Sequence, residues 1–347
     1  MKNYVDKKFF SLKKKIINKF KNTNKNALNL NLIIQHLIFL NLKIENILFK
    51  NKDFSKQEIY KNLENFYEYI FDLNKFTDFS DKKKISEYRF VKEKIHKTLF
   101  QKLFVIYSIK EFKKSRLKRF VRRIKINKLS SLIKNKKIVD FGCGHGNFLM
   151  SLNKFNPKKR VGIDYGISSI KMAKRLKTKL FPKSKISFLL GSVYKTKLKS
   201  KYFDFAIQNG VFHHLNYELK AYKEVHRVLK KNGYFWIYTD GGGGIRDFIF
   251  DMSQEILSKI DEDFVQRQIS SIGLNIGKQY HLGDTLRAKY SHTDLPTIKK
   301  QLNKIGFKFV RQLRGGYKTD FDYPFSKDKN FKEKFGSGDL RLLFRKK

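Results

Sequence analysis

The 347 residues carry a formal charge of +46, with 41% hydrophobic and 15% aromatic residues, 34 of them Phe. So much apolar surface excludes an intrinsically disordered chain, and the length allows about two domains. The lone cysteine, Cys143, excludes an internal disulfide framework and fits a reducing compartment.

Residues 1–130 contain neither Gly nor Pro; all 20 glycines lie at or beyond Gly142 and all four prolines beyond residue 150. Both residue types break helices, so their absence predicts an all-helical N-terminal region over 1–130. Apolar residues at three- and four-residue intervals agree: Phe9, Ile16, Ile17 and Phe20, then Phe90, Ile95, Leu99, Leu103 and Ile106. The basic start, MKNYVDKKFFSLKKKIINKF, lacks the apolar core of a secretory signal and the Arg and Ser of a transit peptide. The run LIIQHLIFL (32–40) is too short to span a bilayer, and a soluble, cytoplasmic chain is expected. Residues 7–20 place Phe9, Ile16 and Phe20 on one face among lysines, which suits either an anionic membrane surface or packing on the protein itself.

Residues 1–130 carry 33 Lys and Arg against 12 Asp and Glu, and residues 131–347 carry 44 against 19. An excess spread in this way favours a general compositional bias over a dedicated polyanion site.

From residue 131 the pattern changes. The runs KIVDFG (137–142), RVGIDY (160–165), ISFLLG (186–191), FDFAIQNG (203–210) and GYFWIYTD (233–240) read as strands, with helical stretches between several of them. A further helix and strand, DLPTIKKQLNKIGFKFVRQL, and a last strand, GDLRLLFRKK, complete seven. Alternating strands and helices imply an α/β fold, a doubly wound Rossmann-like sheet with helices on both faces, over residues 131–347. The stretch 241–294 interrupts the alternation and reads as an insertion over the ligand-binding edge, a lid or acceptor-binding cap entered through four flexible glycines.

The first strand ends in Asp140 and runs into Gly142, Gly144 and Gly146 before a helix from about Asn147. Such a turn lets a ligand approach the main chain at a helix N-terminus. Asp164, ending the second strand 22 residues beyond Gly142, is placed to accept hydrogen bonds from the hydroxyls of a ribose. A dinucleotide fingerprint would need a third Gly or Ala where Asn147 stands, so the pair points to another nucleoside-containing cofactor.

Taken together, IVDFGCGHG, VGIDYGISSIKMAKR, FDFAIQNGVFHHL and EVHRVLKKNGYFWI resemble the motifs of class I S-adenosylmethionine-dependent methyltransferases, specifically the group acting on small molecules. The resemblance covers roughly residues 130–240 and the last two strands. It implies S-adenosyl-L-methionine as cofactor, with Gly142, Cys143, Gly144 and Gly146 around its methionine and ribose parts. It further implies Asp140 orienting that loop and the amino group, Asp164 on the ribose hydroxyls, Tyr165 beside the adenine, and Asn209 facing the methionine through its backbone. Ser192 stands where the family often has an acidic residue for the adenine amino group, so Ser192 and Val193 line that pocket with a weaker polar contact. Cys143 takes a structural place in this pattern.

Methyl transfer needs a base only if the acceptor must lose a proton. His213 and His214, after the fourth strand, are candidates for that base or braces of their loop. Asp240, ending the fifth strand, either binds substrate or caps the helix starting near Ile245. Within the insertion, His281, Arg287, Tyr290 and His292 offer contacts to a polar or anionic small-molecule acceptor; their spacing matches no compact metal motif, so no metal is expected. The loop 315–325 offers aromatic walls or ordinary surface.

Two other functions compete. KKSRLKRFVRRIK (113–125) invites RNA or DNA methylation, although QNGVF lacks the Asn/Asp-Pro-Pro-aromatic motif of many base-amino methyltransferases. A non-catalytic membrane-surface or binding protein is the third reading, opposed by the intact glycine turn.

Overall fold

The computed structural model describes residues 3–23, 27–50, 54–76, 109–258, 260–288, 290–317, 320–323 and 325–347. The expected apolar positions between Phe90 and Ile106 lie outside them.

One seven-stranded sheet organises the chain: β1 Lys137–Phe141, β2 Lys159–Asp164, β3 Ile186–Leu190, β4 Phe203–Asn209, β5 Leu229–Asp240, β6 Phe307–Gln312 and β7 Asp339–Lys346, in the order β3-β2-β1-β4-β5-β7-β6. β1 to β5 pair parallel. β7 runs antiparallel between β5 and β6, Asp240 facing Asp339 in register. The strand-helix alternation up to residue 240 accords with these parallel strands; beyond it the connection 313–338 returns to the same end of the sheet it left, and strands so joined run antiparallel.

Buried residues on both faces explain the apolar strand runs. On one face Ile170, Ala173 and Leu176 of the helix Ile167–Leu180 pack with Phe120, Phe148 and Trp236. On the other, Ala221, Tyr222, Val225 and Val228 of the helix Glu218–Val228 and Ile298 and Leu302 of the helix Leu295–Ile305 pack on Val139, Ala206 and Phe235.

A third core is mostly helical. The helices α1 Lys7–Lys21, α2 Ala27–Lys50 and α3 Lys56–Phe76 share it with three helices of the insertion, Ile245–Leu257, Glu262–Ser271 and Ile276–Arg287. The N-terminal helices and the insertion, separated in sequence by the strands β1 to β5, therefore form one cap. By contrast the basic helix Lys118–Ile126 packs on the sheet, with Phe120 stacked on Phe148 at 4.5 Å.

One alternative is decided here and one expectation changes. Phe9, Leu12, Ile16, Ile17 and Phe20 are all buried in the cap core, so the apolar face of residues 7–20 is not presented to a membrane. Withdrawing five such side chains would cost roughly 1.5–3 kcal/mol each. The run 32–40 belongs to a longer apolar helix, Leu28–Phe49, of 22 residues with hydropathy 1.4, long enough to cross a membrane by length and composition. Ile33, Ile34, Leu37 and Ile38 of that helix are fully buried in the cap, as in the core helix of a globular fold.

Candidate active site

A cavity of about 1440 Å³ lies against the carboxyl edge of the sheet and under the cap. One end is built largely from backbone. Gly142, Gly144 and Gly146 take φ of +75°, +50° and +76°, a region that favours glycine. The Gly142 and Cys143 N–H groups donate to the Ile163 carbonyl at 2.8 and 2.9 Å. Asp164 ties the two turns together, one carboxylate oxygen accepting from Gly144 N–H and the other from Gly166 N–H, each at 2.8 Å.

Asp140, Gly142, Cys143, Gly144, Asp164, Tyr165, Ser192, Val193 and Asn209 all line this end. Gly146 does not: a Cβ there would lie 2.4 Å from the Phe188 ring, so this glycine serves the packing of turn on strand. The Cys143 thiol is buried beside Gly162 and pushed well above its ordinary pKa by burial and then by the Asp164 charge, which leaves it inert as a nucleophile.

The residues present fit the cofactor. Asp140 Oδ1, Asn147 Oδ1 and Asn209 Oδ1 are buried acceptors with no hydrogen-bond partner, and all three residues line the cavity. Burial, then the Asp164 charge, raises Asp140 to about 8. Such atoms call for a donor-rich cationic group, and the α-ammonium of S-adenosylmethionine is one.

Across the edge, side chains take over. Asp240 N–H donates to His213 Nδ1 at 2.9 Å, so the proton of that imidazole sits on Nε2, which meets His214 Nε2 at 3.0 Å. A proton taken up at His214 Nε2 would break this bond; the pair is arranged as a brace for the turn after β4. Asp240 does not cap the following helix, whose N-cap is Gly244 with Asp247 returning to its N–H at 3.3 Å. Its carboxylate accepts instead from His292 Nδ1 at 2.8 Å. Burial disfavours charge on His292, but the Asp240 and Asp251 hydrogen bonds outweigh it and lift the group to about 11. Asp240, Asp247 and His292 bring ligand-type atoms within 4.8 Å of one another. The Arg246 guanidinium, 4.0 Å from Asp240 and 3.6 Å from Asp247, adds a second positive charge beside that of His292.

The cap completes the wall. His281, Tyr290 and His292 face the cavity as expected, while Arg287 turns away to Glu262 and Gln266. The Tyr290 hydroxyl donates to Asp284 at 2.6 Å, and burial raises Asp284 to about 6 against that bond. Glu45 of α2 reaches across to His281 and Lys278. The glycine run 241–244 is not a loose entry: a Cβ on Gly241 would meet the Gly338 carbonyl at 2.5 Å and one on Gly244 the Gly336 nitrogen at 2.4 Å, so it is packed backbone on backbone. Tyr317 and Phe321, from the loop 315–325, line the cavity; residues 318, 319 and 324 of that loop lie outside the described residues.

Sequence reasoning missed Glu45, Arg246, Asp247, Asp284, Asp320 and Arg341. Only Asp247 carried a local signal, an acidic residue three positions after a helix-capping glycine.

With strand order, glycine turn and acidic second-strand end in place, the fold is that of class I methyltransferases. Residues 132–277 match the family model described as a methyltransferase domain; this segment is an S-adenosylmethionine-dependent methyltransferase domain. The chain is 25% identical over 224 residues to a sterol 24-C-methyltransferase of Candida albicans, covering 62% of this chain and 51% of that one. It is 32% identical over 109 residues to a tRNA U34 carboxymethyltransferase of Helicobacter pylori, covering 30% and 41%. The chain thus spans about half, or less, of the length of these relatives. Among solved structures, an S-adenosylmethionine-dependent methyltransferase from Aquifex aeolicus is 19% identical with a TM-score of 0.42, covering 70% of this chain and 100% of that one.

Proposed function

We propose that this protein transfers a methyl group from S-adenosylmethionine to a small-molecule acceptor held between the sheet edge and the helical cap. The carrying observation is the continuity of the cavity, which runs from the glycine turn to Glu45, Asp284 and His292 and exceeds the roughly 300–1,000 Å³ typical of a single-ligand pocket. When bound, the cofactor supplies an electrophilic methyl on a sulfonium. The chain supplies position: Asp164 fixes both turns at the cofactor end, and the braced His213 and Asp240 fix the edge facing the cap. Holding reactants in line is worth about 7–11 kcal/mol. Phe49, Phe250, Tyr280 and Phe321 add aromatic walls, which together with the likeness to sterol methyltransferases support an acceptor with a large apolar part.

RNA is the second reading, favoured by the net charge and by the likeness to tRNA carboxymethyltransferases. Calorimetric titration with S-adenosylmethionine and S-adenosylhomocysteine tests the cofactor, with saturable binding expected. Incubation of a cell extract with methyl-labelled cofactor then tests the acceptor. Label in the small-molecule or lipid fraction is expected, and label confined to RNA overturns the proposal.

A further inference from the structure

A methyl acceptor that carries a proton must lose it as the new bond forms, and the histidines beside β4 are poorly arranged to take it. His213 Nε2 and His214 Nε2 meet at 3.0 Å, and His213 Nδ1 accepts from Asp240 N–H. Most carboxylates at the acceptor end of the cavity are held by cations: Glu45 by His281 and Lys278, Asp240 and Asp251 by His292, Asp320 by Arg123, and Asp339 by Arg341. A cationic partner favours the charged carboxylate and makes it a poor base.

Asp284, which also lines the cavity, differs from these. Among the described residues its carboxylate accepts from a neutral phenol, the Tyr290 hydroxyl, which donates to Oδ1 at 2.6 Å. No described group donates to Oδ2, which keeps its lone pairs for a further donor. Burial, working against the Tyr290 bond, raises the group to about 6, a range suited to accepting a proton near neutral pH. His281 and Arg246 favour its charge and Asp240 opposes it, while His292, lifted to about 11, stays protonated throughout that range.

Tyr290 also fixes where this carboxylate stands. Past the helix Ile276–Arg287 the chain is stitched along the sheet edge: Ser291 N–H donates to the His213 carbonyl at 2.7 Å, and Thr293 N–H to the Asp240 carbonyl at 3.3 Å. The Tyr290 ring lies 5.0 Å from that of His213 and 4.6 Å from that of His214. A carboxylate of the cap is thereby brought beside the turn that follows Asn209, where the acceptor end meets the cofactor end.

We propose that Asp284 is the proton acceptor in methyl transfer, oriented by Tyr290, and that the acceptor presents a hydroxyl to it. A lone pair of the hydroxyl oxygen forms the bond to the methyl carbon. The carbon–sulfur bond breaks with its electron pair left on sulfur as a thioether, and the hydroxyl proton passes to Asp284 Oδ2 and then to water. This rests on the cofactor and acceptor assignment above and adds the acceptor's chemical class: an alcohol or phenol with a large apolar part.

The test uses the full-length protein, methyl-labelled S-adenosylmethionine and the lipid and small-molecule fractions of a cell extract. Initial labelling rates are followed between about pH 5 and 9. The wild-type rate should rise as pH increases through about 6 and then level off, since the base acts unprotonated. Asp284→Asn should lower the plateau by about a hundredfold, erase that inflection and leave S-adenosylhomocysteine affinity within about threefold. Tyr290→Phe removes the bond that opposes burial, so it should move the inflection to higher pH, and it serves if the asparagine variant fails to fold by circular dichroism. A folded Asp284→Asn that labels within about threefold of wild type overturns the proposal. So does an inflection that survives this substitution, which then belongs to an imidazole such as His281, or one that Tyr290→Phe leaves in place. Label recovered by mass spectrometry on nitrogen or carbon overturns the hydroxyl. Label confined to RNA overturns the small-molecule reading alone, and the same variants read on that label decide Asp284 separately. No label in any fraction, from a chain that binds S-adenosylhomocysteine, overturns both.

Discussion

The two ends of the cavity are made of different material. At the glycine turn, the frame is built largely from main-chain groups close in sequence, tied by one carboxylate, Asp164, with a few side-chain oxygens such as those of Asp140 and Asn209 added. At the cap, it is built from side chains drawn from α2, the basic helix, the end of β5, the insertion and β7, most held by a charged partner. A backbone-built end tolerates few substitutions and serves one invariant ligand. The side-chain end can be rewritten without disturbing the first, as a division between common cofactor and particular acceptor requires.

That contrast can be broken in order of expected effect. Asp164→Ala removes the acceptor of two charge-assisted bonds, and S-adenosylhomocysteine affinity should fall by about a hundredfold, ~3 kcal/mol, with the circular dichroism spectrum intact. An unchanged affinity would mean that the backbone end does not depend on this tie.

Glu45→Gln should leave cofactor affinity alone and lower unfolding free energy by about 1–3 kcal/mol in urea titrations. Burial would raise Glu45, but His281 and Lys278 hold it from its ordinary 4.5 down to about 2. Its stabilisation is therefore present above pH 4.5 and lost as pH falls through about 2, and the variant should lack that acid slope. A slope equal to wild type would separate α2 from the insertion.

Asp240→Asn should drop His292 from about 11 toward its ordinary 6.5, read by NMR titration of the imidazole. The stability owed to His292 is complete below 6.5 and lost as pH rises through about 11, so the variant should lose less stability than wild type over that alkaline range. A titration that stays near 11 would show that Asp251 and Asp247 suffice. Smallest of all, Cys143→Ala should cost about 1 kcal/mol and leave S-adenosylhomocysteine affinity within about threefold, since the thiol only packs. A large affinity loss would give the thiol a role at the cofactor end.

The same division governs what was legible in the sequence. The sheet and the cofactor end could be read because their determinants are local: a glycine spacing, an acidic residue a fixed distance on, apolar runs of strand length. Gly146 was assigned to the ligand because spacing does not tell a glycine that admits a cofactor from one that admits Phe188. The cap was not legible, since Glu45 meets His281 across 236 residues and Arg123 meets Asp320 across 197. Periodicity showed that residues 7–20 have an apolar face, but not what covers it. The glycines 241–244 looked flexible because their partners, residues 336–338, lie nearly a hundred positions away.

The shared core of α1–α3 and the insertion also sets a schedule for synthesis. The apolar faces of α1–α3 emerge from the ribosome about 170 residues before the insertion helices that cover them. At 5–20 residues per second, that is a wait of roughly ten to thirty seconds. During it Phe9, Ile33 and Ile59 have, among the described residues of this core, only each other's helices for cover, and nascent chains arrested near residue 240 should be cut by protease in this region more readily than the finished protein.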